Sequence, residues 1–269
     1  MKRGKMIQKA SRKAVQSILV LLFTVSALSQ QSATPSIPPT GFPGLDQYRA
    51  SRIAIFTDDF GQLSRYRDAN AALKPPAPSE KRVIFFGDSI TDKWRIDESF
   101  PGKPYIDRGI SGQTTPQMLV RFRQDVIDLH PKIVVILAGT NDIAGNTGPM
   151  RLEDIEANYA SMAELAGAHE IKVIYSSVLP VHNYTPRAQD LFAQRSPEKI
   201  LELNRWLKRD CASSEGCLYL DYFSAMVDDK GLLKRDLAED GLHPNAAGYR
   251  IMASLAQSAI EKALSSAQP

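Results

Sequence analysis

Cysteine is scarce: two residues, Cys211 and Cys217, in a chain of 269. That excludes a disulfide-rich scaffold and a zinc-finger array. Histidine is scarce too. His130, His169 and His182 stand in no H-x-x-x-H or Cys/His spacing, so neither a metal site nor a cofactor is expected. No apolar run reaches the ~20 residues of a membrane span, which excludes a polytopic membrane protein. Nor does one sign of charge dominate. Lys and Arg number 33 against 30 Asp and Glu. Six of those cations (Lys2, Arg3, Lys5, Lys9, Arg12, Lys13) precede the first acidic residue, Asp46. The rest of the chain is slightly acidic, so nothing points to a nucleic-acid partner. At 43% hydrophobic and 23% charged, the composition is that of an ordinary globular protein.

The basic start leads into the apolar run Ile18–Val25 and then the small residues Ala27-Leu28-Ser29. This order predicts a secretory signal peptide over residues 1–29, with an uncleaved anchor as the alternative. The expected protein is secreted or periplasmic, with no stable membrane insertion after cleavage. No cysteine lies near that boundary, so a lipid anchor is not expected. Residues 30–44, QQSATPSIPPTGFPG, have the composition of an extended linker. Residues 45–80 form an extension in which Leu63, Tyr66, Ala69 and Leu73 recur at roughly helical spacing. Pro75, Pro76 and Pro78 break it. No internal repeat is visible.

From residue 81 onward, strand-like and helix-like stretches alternate. Arg82–Phe86, Tyr105–Asp107, Ile133–Ala138, Lys172–Val178 and Leu218–Asp221 are short, largely apolar runs. Between them, Met118, Phe122, Val126 and Leu129 form one amphipathic stripe. Leu152, Ile155, Tyr159 and Met162 form another, and Ile251 to Leu264 a third. Near-continuous apolar strands separated by helices imply a parallel sheet covered on both faces. Sites in such sheets lie beyond the carboxyl ends of the strands.

Four loops there carry polar residues. Gly87-Asp88-Ser89 comes after the first strand and sets Ser89 at a helix entrance, where free N–H groups favour developing negative charge; Ser and Asp are also common helix caps. Arg108-Gly109-Ile110-Ser111-Gly112-Gln113-Thr114 comes after the second. Its glycines suit a close backbone approach, or a plain turn with Ser111 or Thr114 capping the next helix. Gly139-Thr140-Asn141-Asp142 comes after the third and offers a side-chain amide donor, or an ordinary turn. Asp240-Gly241-Leu242-His243-Pro244 precedes the last helix. An Asp and a His three apart can meet, the acid fixing the tautomer of the base.

Phe86–Thr91, Arg108–Gly112, Gly139–Asp142 and Asp240–Pro244 together resemble the four blocks of the SGNH hydrolases, also called GDSL esterases and lipases. The resemblance covers residues 81–265, which become the expected catalytic domain. It implies a three-layer α/β/α sandwich of about five parallel strands, flavodoxin-like in its winding. It implies Ser89 as nucleophile, His243 as general base and Asp240 as its orienting acid. The oxyanion hole would take the N–H groups of Ser89 and Gly109 and the amide of Asn141. The expected activity is a serine esterase removing short acyl groups, acetyl above all, with an acyl ester or acetylated carbohydrate as substrate. Alternatives are a lysophospholipase or thioesterase, an acyltransferase, or a binding module that has lost the reaction.

In an exported protein, Cys211 and Cys217 read as a disulfide between a helix and the fifth strand, with two unpaired thiols as the alternative. Asn183-Tyr184-Thr185 is a formal glycosylation sequon. His182 and Arg187 could line a substrate cleft, or be solvated loop residues. The segments 45–80 and 180–197 match no generic pattern and are where specificity would reside. In the first, Phe56, Phe60 and Leu63 could form an apolar wall over the cleft.

Overall fold

Each of the five apolar runs becomes a strand in the computed structural model, which describes residues 39–265. They are β1 (Val83–Gly87), β2 (Tyr105–Gly109), β3 (Ile133–Leu137), β4 (Lys172–Ser176) and β5 (Cys217–Leu220). All neighbours pair in parallel, in the order β2-β1-β3-β4-β5. Alternate side chains go to opposite faces of a strand. Ile84, Phe86, Val134, Ile136, Val173 and Tyr175 therefore join one core, while Val83, Phe85, Ile133, Val135 and Ile174 join the other.

Helices cover both faces. The ones used below are α1 (Pro43–Ser51), α2 (Ser89–Asp92), α3 (Thr115–Asp125), α4 (Thr140–Ala144), α5 (Leu152–Gly167), α6 (Pro197–Ser213) and α7 (Ala246–Ser265). The stripes of α3, α5 and α6, through Met118, Phe122, Ile155, Tyr159, Ile200 and Leu203, close the first face. Met252, Ala256 and Ile260 of α7 close the second, with Trp94, Phe100 and Tyr222. The result is the three-layer sandwich that the alternation implied. No helix among the described residues is long and apolar enough to cross a membrane.

Winding runs from β1 outward to β2, then back across to β3. The crevice where the order reverses lies at the carboxyl ends of these strands, the usual site in open α/β sheets. Arg121, fully buried on α3, fastens that end. Its guanidinium donates to Gly87 O at 3.0 Å, Arg108 O at 2.9 Å, Gln113 Oε1 at 2.6 Å and Asp125 Oδ2 at 3.0 Å. It also stacks on the Phe86 ring. One side chain thus ties the ends of β1 and β2 to the loop beyond β2.

The expected signal peptide and most of the expected linker lie outside the described residues. The linker's end is helical instead: α1 begins at Pro43, because proline suits a first helical position. The extension packs on the sheet domain. Arg49 donates to Gly145 O, Tyr66 to Gly109 O, and Asn70 to Asp125. Of its helical spacing only Arg67–Ala72 is helix. Upstream, the Asp59 carboxylate takes the N–H groups of Leu63 and Ser64 and holds a turn. Cys211 and Cys217 form a disulfide joining α6 to β5.

Candidate active site

Ser89 and Asn141 lie just past strand ends, and Asp240 and His243 just before α7. Gly87 ends β1, and a Cβ there would lie 2.2 Å from Thr91 Oγ1 and 2.6 Å from Leu137 O. Only glycine fits so close to both. Asp88 caps α2 by accepting the Ile90 N–H at 2.9 Å, which leaves Ser89 at the first helical position. Burial pushes the Asp88 carboxyl up to about 6, against the pull of the Ile90 N–H, His243 and Arg195.

Ser89 Oγ lies 2.9 Å from His243 Nε2, and His243 Nδ1 lies 2.7 Å from Asp240 Oδ2. The carboxylate accepts a hydrogen bond from Nδ1–H, which leaves the Nε2 lone pair for the serine hydroxyl. Asp240 also accepts the backbone N–H groups of His243 at 2.8 Å and Leu242 at 3.1 Å. Burial raises this acid, but the His243 imidazole and those two N–H groups outweigh it and hold it well below the usual carboxylate range.

The loop is braced from behind by His182. Sequence reading offered His182 as a cleft or solvated residue; it is neither. It is completely buried, donates from Nε2 to Ala238 O at 3.0 Å, and gives its backbone N–H to Gly241 O at 3.0 Å. Gly241 has φ +83°, and a Cβ on it would meet His182 O and Ala188 at 2.6 Å. Asn245 then caps α7 through the Ala247 N–H.

Asn141 opens α4 after β3. Its Nδ2 donates to Gln113 O at 3.0 Å, and its Oδ1 accepts from Arg195 Nη2 at 3.2 Å. These two partners fix which end of the amide is the donor, and the second N–H of Nδ2 is left over. Arg195, 3% exposed, also donates to Thr140 Oγ1 and Leu191 O.

Gly109 departs from expectation. It is still paired in the sheet, opposite Gly87. Its N–H is taken by Asp107 Oδ1 at 2.6 Å, and a Cβ on it would lie 2.1 Å from the Asp92 N. It is therefore a packing residue and not among those lining the cleft. The glycine of this loop that does line the cleft is Gly112, three residues on. It has φ +81°, and its carbonyl is held by Tyr48 Oη at 3.2 Å and Asn146 Nδ2 at 2.9 Å. Ser111 anchors the same loop to Asp92. Among the described residues, no protein acceptor takes the N–H of Ser89 or Gly112.

The cleft over Ser89 measures about 480 Å³. Leu45, Tyr48 and Arg52 of the extension form one wall, and Arg187, Leu191 and Arg195 another. Phe56, Phe60 and Leu63 are not among the lining residues. Gly112, Tyr48 and Arg195 are the residues that sequence reading missed. Tyr48 meets Gly112 across 64 positions and Arg195 meets Asn141 across 54, and no local pattern records such pairs. No group of three or more His, Cys, Asp or Glu among the described residues is placed to hold a metal ion.

Comparison with known proteins bears on the family. Residues 85–251, more than half of the chain, match the model of the GDSL-like lipase/acylhydrolase family. The chain belongs to that family. A GDSL-like lipase from Bacteroides thetaiotaomicron is 43% identical, with a TM-score of 0.70, over 76% of this chain and 100% of its own. An acetylxylan esterase from Geobacillus stearothermophilus is 24% identical over 65% of this chain and 91% of its own. An uncharacterized lipoprotein from Bacillus subtilis is 37% identical, but only over 28% of this chain and 32% of its own. This family member is a carboxylic ester hydrolase.

Proposed function

We propose that the protein is an exported serine esterase that removes short acyl groups, acetyl above all, from a hydroxyl-rich acceptor. The observation that carries the reading is the unbroken chain from Ser89 Oγ to His243 to Asp240. In it, Ser89 Oγ attacks the ester carbonyl carbon and passes its proton to His243 Nε2. The carbonyl oxygen becomes an oxyanion beside three donors: the N–H groups of Ser89 and Gly112 and the free Nδ2–H of Asn141. The carbon–alkoxide bond then breaks, and His243 returns the proton to the departing alcohol. Water, deprotonated by His243, hydrolyses the acyl-serine in the same way. Asp240 stabilises the imidazolium in both halves.

Export is supported by the leader pattern of residues 1–29 and by the disulfide, which suits an oxidising compartment. The short-acyl preference is supported by the charged and amide side chains that interrupt the apolar lining of the cleft and by the acetylxylan esterase likeness. Ser89→Ala tests the core of the reading. Esterase activity and labelling by a fluorophosphonate probe are both expected to vanish while the thermal transition is retained. Undiminished activity in folded Ser89→Ala protein would remove Ser89 from the reaction.

A further inference from the structure

The cleft wall carries an uneven charge. Arg52, Lys93, Arg187 and Arg195 line it, against a single lining carboxylate, Asp190. Arg52 sits just past α1, Lys93 just past α2, and Arg187 and Arg195 come from the segment after β4. Separate stretches of chain thus bring four cations to one place. The rest of the chain gives no reason for it, since acids outnumber bases beyond the leader. No ion pair among the described residues involves any of the four.

Two of them have partners at the cleft. The Arg52 guanidinium lies 5.4 Å from the centre of the Tyr48 ring, whose hydroxyl is itself fastened to Gly112. Arg195 is 3% exposed, a burial that a charged side chain seldom has without an ionic partner. Three of its nitrogens each donate once, to Thr140, Leu191 and Asn141. A guanidinium has five N–H donors, so one remains on each of Nη1 and Nη2. Such a fork suits a carboxylate or phosphate. Burial also pulls its pKa down to about 10, against the opposing pull of the Asp88 and Asp240 carboxylates.

We propose that this cleft is a subsite for an anionic group, a carboxylate or a phosphate, carried by the ester that Ser89 cleaves. Arg52, Lys93 and Arg187 draw the anion in from solvent, and Arg195 meets it at the floor. The inference deepens the esterase reading and rests on it. It narrows the substrate from any short ester to one bearing negative charge near the scissile bond, such as an acylated uronate or an acylated sugar phosphate.

The test compares matched ester pairs that differ in charge. Mono-p-nitrophenyl succinate against p-nitrophenyl butyrate probes the acyl side. Acetylated methyl galactopyranosiduronate against its methyl ester probes a carboxylate on the alcohol side, and acetylated glucose 6-phosphate against acetylated glucose a phosphate there. At low salt, kcat/KM is expected to favour the anionic member of at least one pair by about tenfold or more, the worth of one charge-assisted hydrogen bond. Which pair responds separates carboxylate from phosphate. The double substitution Arg52→Gln, Arg187→Gln should bring that ratio toward one. Because both members are measured on the same protein, partial misfolding cancels. Ratios at or below one for all three pairs would overturn the subsite, as would a ratio that the double substitution leaves unchanged. The esterase reading fails separately, if Ser89→Ala still hydrolyses the neutral esters.

Discussion

At the scale of single residues, the oxyanion donors divide into two kinds. The Ser89 and Gly112 N–H groups are fixed by the backbone, whereas the Asn141 donor is fixed by its neighbours. Gln113 O takes one Nδ2 proton and Arg195 Nη2 holds Oδ1, so the remaining proton has one direction left. Asn141→Ala is expected to lower kcat on p-nitrophenyl acetate by roughly two to three orders of magnitude. It should also cost about 1–3 kcal/mol in urea unfolding, because two buried polar groups lose their partner. Were Asn141 only a turn residue, the stability loss would appear without the rate loss. Arg195→Met leaves the amide in place but free to turn. Its signature on this neutral ester is a lower kcat with little change in KM, which a merely structural role would not produce. Asp88 answers to pH. Its folded pKa, raised by burial to about 6, stands above the ordinary value of 3.8. Below pH ~4 the acid is neutral in both states and costs nothing. As pH climbs to about 6, the unfolded chain ionises first and stability falls; above that the loss is complete. Asp142, buried and also raised to about 6, adds a slope of the same sign. Urea midpoints at several pH values between ~4 and ~7 should therefore fall less steeply in Asp88→Asn than in the native chain. An unchanged slope would mean that Asp88 titrates as an exposed acid.

At the scale of elements, the fold was legible because parallel strands buried on both faces read as apolar runs. Arg82–Phe86 against the observed Val83–Gly87 shows how little the boundaries moved. The stripes of α3, α5 and α7 were legible for the same reason, each having one wet side. The helix α6 was implied only as something before the fifth strand. Its inward face, Ile200, Leu203, Leu207 and Cys211, is interrupted by Asn204, whose amide is spent on the Val178 backbone at 2.7 and 2.9 Å. Ser89, Asn141, Asp240 and His243 were legible because each stands at a strand end or a helix entrance. The choice between Gly109 and Gly112 was not. Both belong to one loop, and only the observed register shows that the first is still strand. Arg121 was hidden as well, an arginine on the inner face of α3. Replacing it with Met should cost about 3–5 kcal/mol, the usual penalty for stranding the partner of a buried ion pair, here Asp125. Activity of the residual folded protein should fall too, since the same guanidinium holds both Gly87 O and Gln113 Oε1. A loss below ~1 kcal/mol, the range of surface pairs, would show that the ends of β1 and β2 are held by something else.

At the scale of the whole molecule, the substrate's shape is set where the extension meets the sheet. A long acyl chain needs a continuous apolar groove, because each buried CH₂ contributes only ~0.8 kcal/mol. Apolar lining here comes from Leu45, Leu191 and Leu242, set among Arg52, Lys93, Asn146, Arg187, Asp190, Gln194 and Arg195. The large apolar side chains that could have made a groove lie elsewhere. In the core on one face of the sheet, Phe100 stacks on Phe85 and Trp94 meets it edge-on, and Phe56 pairs with Phe60 off the cleft. Meanwhile α1 is pinned across the mouth by Arg49 on Gly145 O and Tyr48 on Gly112 O, so the wall it adds, Leu45, Tyr48 and Arg52, is short and ends in a charge. A cleft of about 480 Å³ lies within the span of small-molecule sites, ~300–1,000 Å³, and its polar rim offers hydrogen bonds on several sides. Across p-nitrophenyl acetate, butyrate, octanoate and palmitate, kcat/KM is therefore expected to be highest at acetate or butyrate. It should fall beyond chains of about eight carbons, because each further CH₂ then gains little of its ~0.8 kcal/mol. Acetate release from an acetylated glycan should accompany that profile. A maximum at octanoate or beyond, with no acetate released from glycan, would mean that α1 swings aside to admit a chain, and would favour the lysophospholipase or thioesterase alternative.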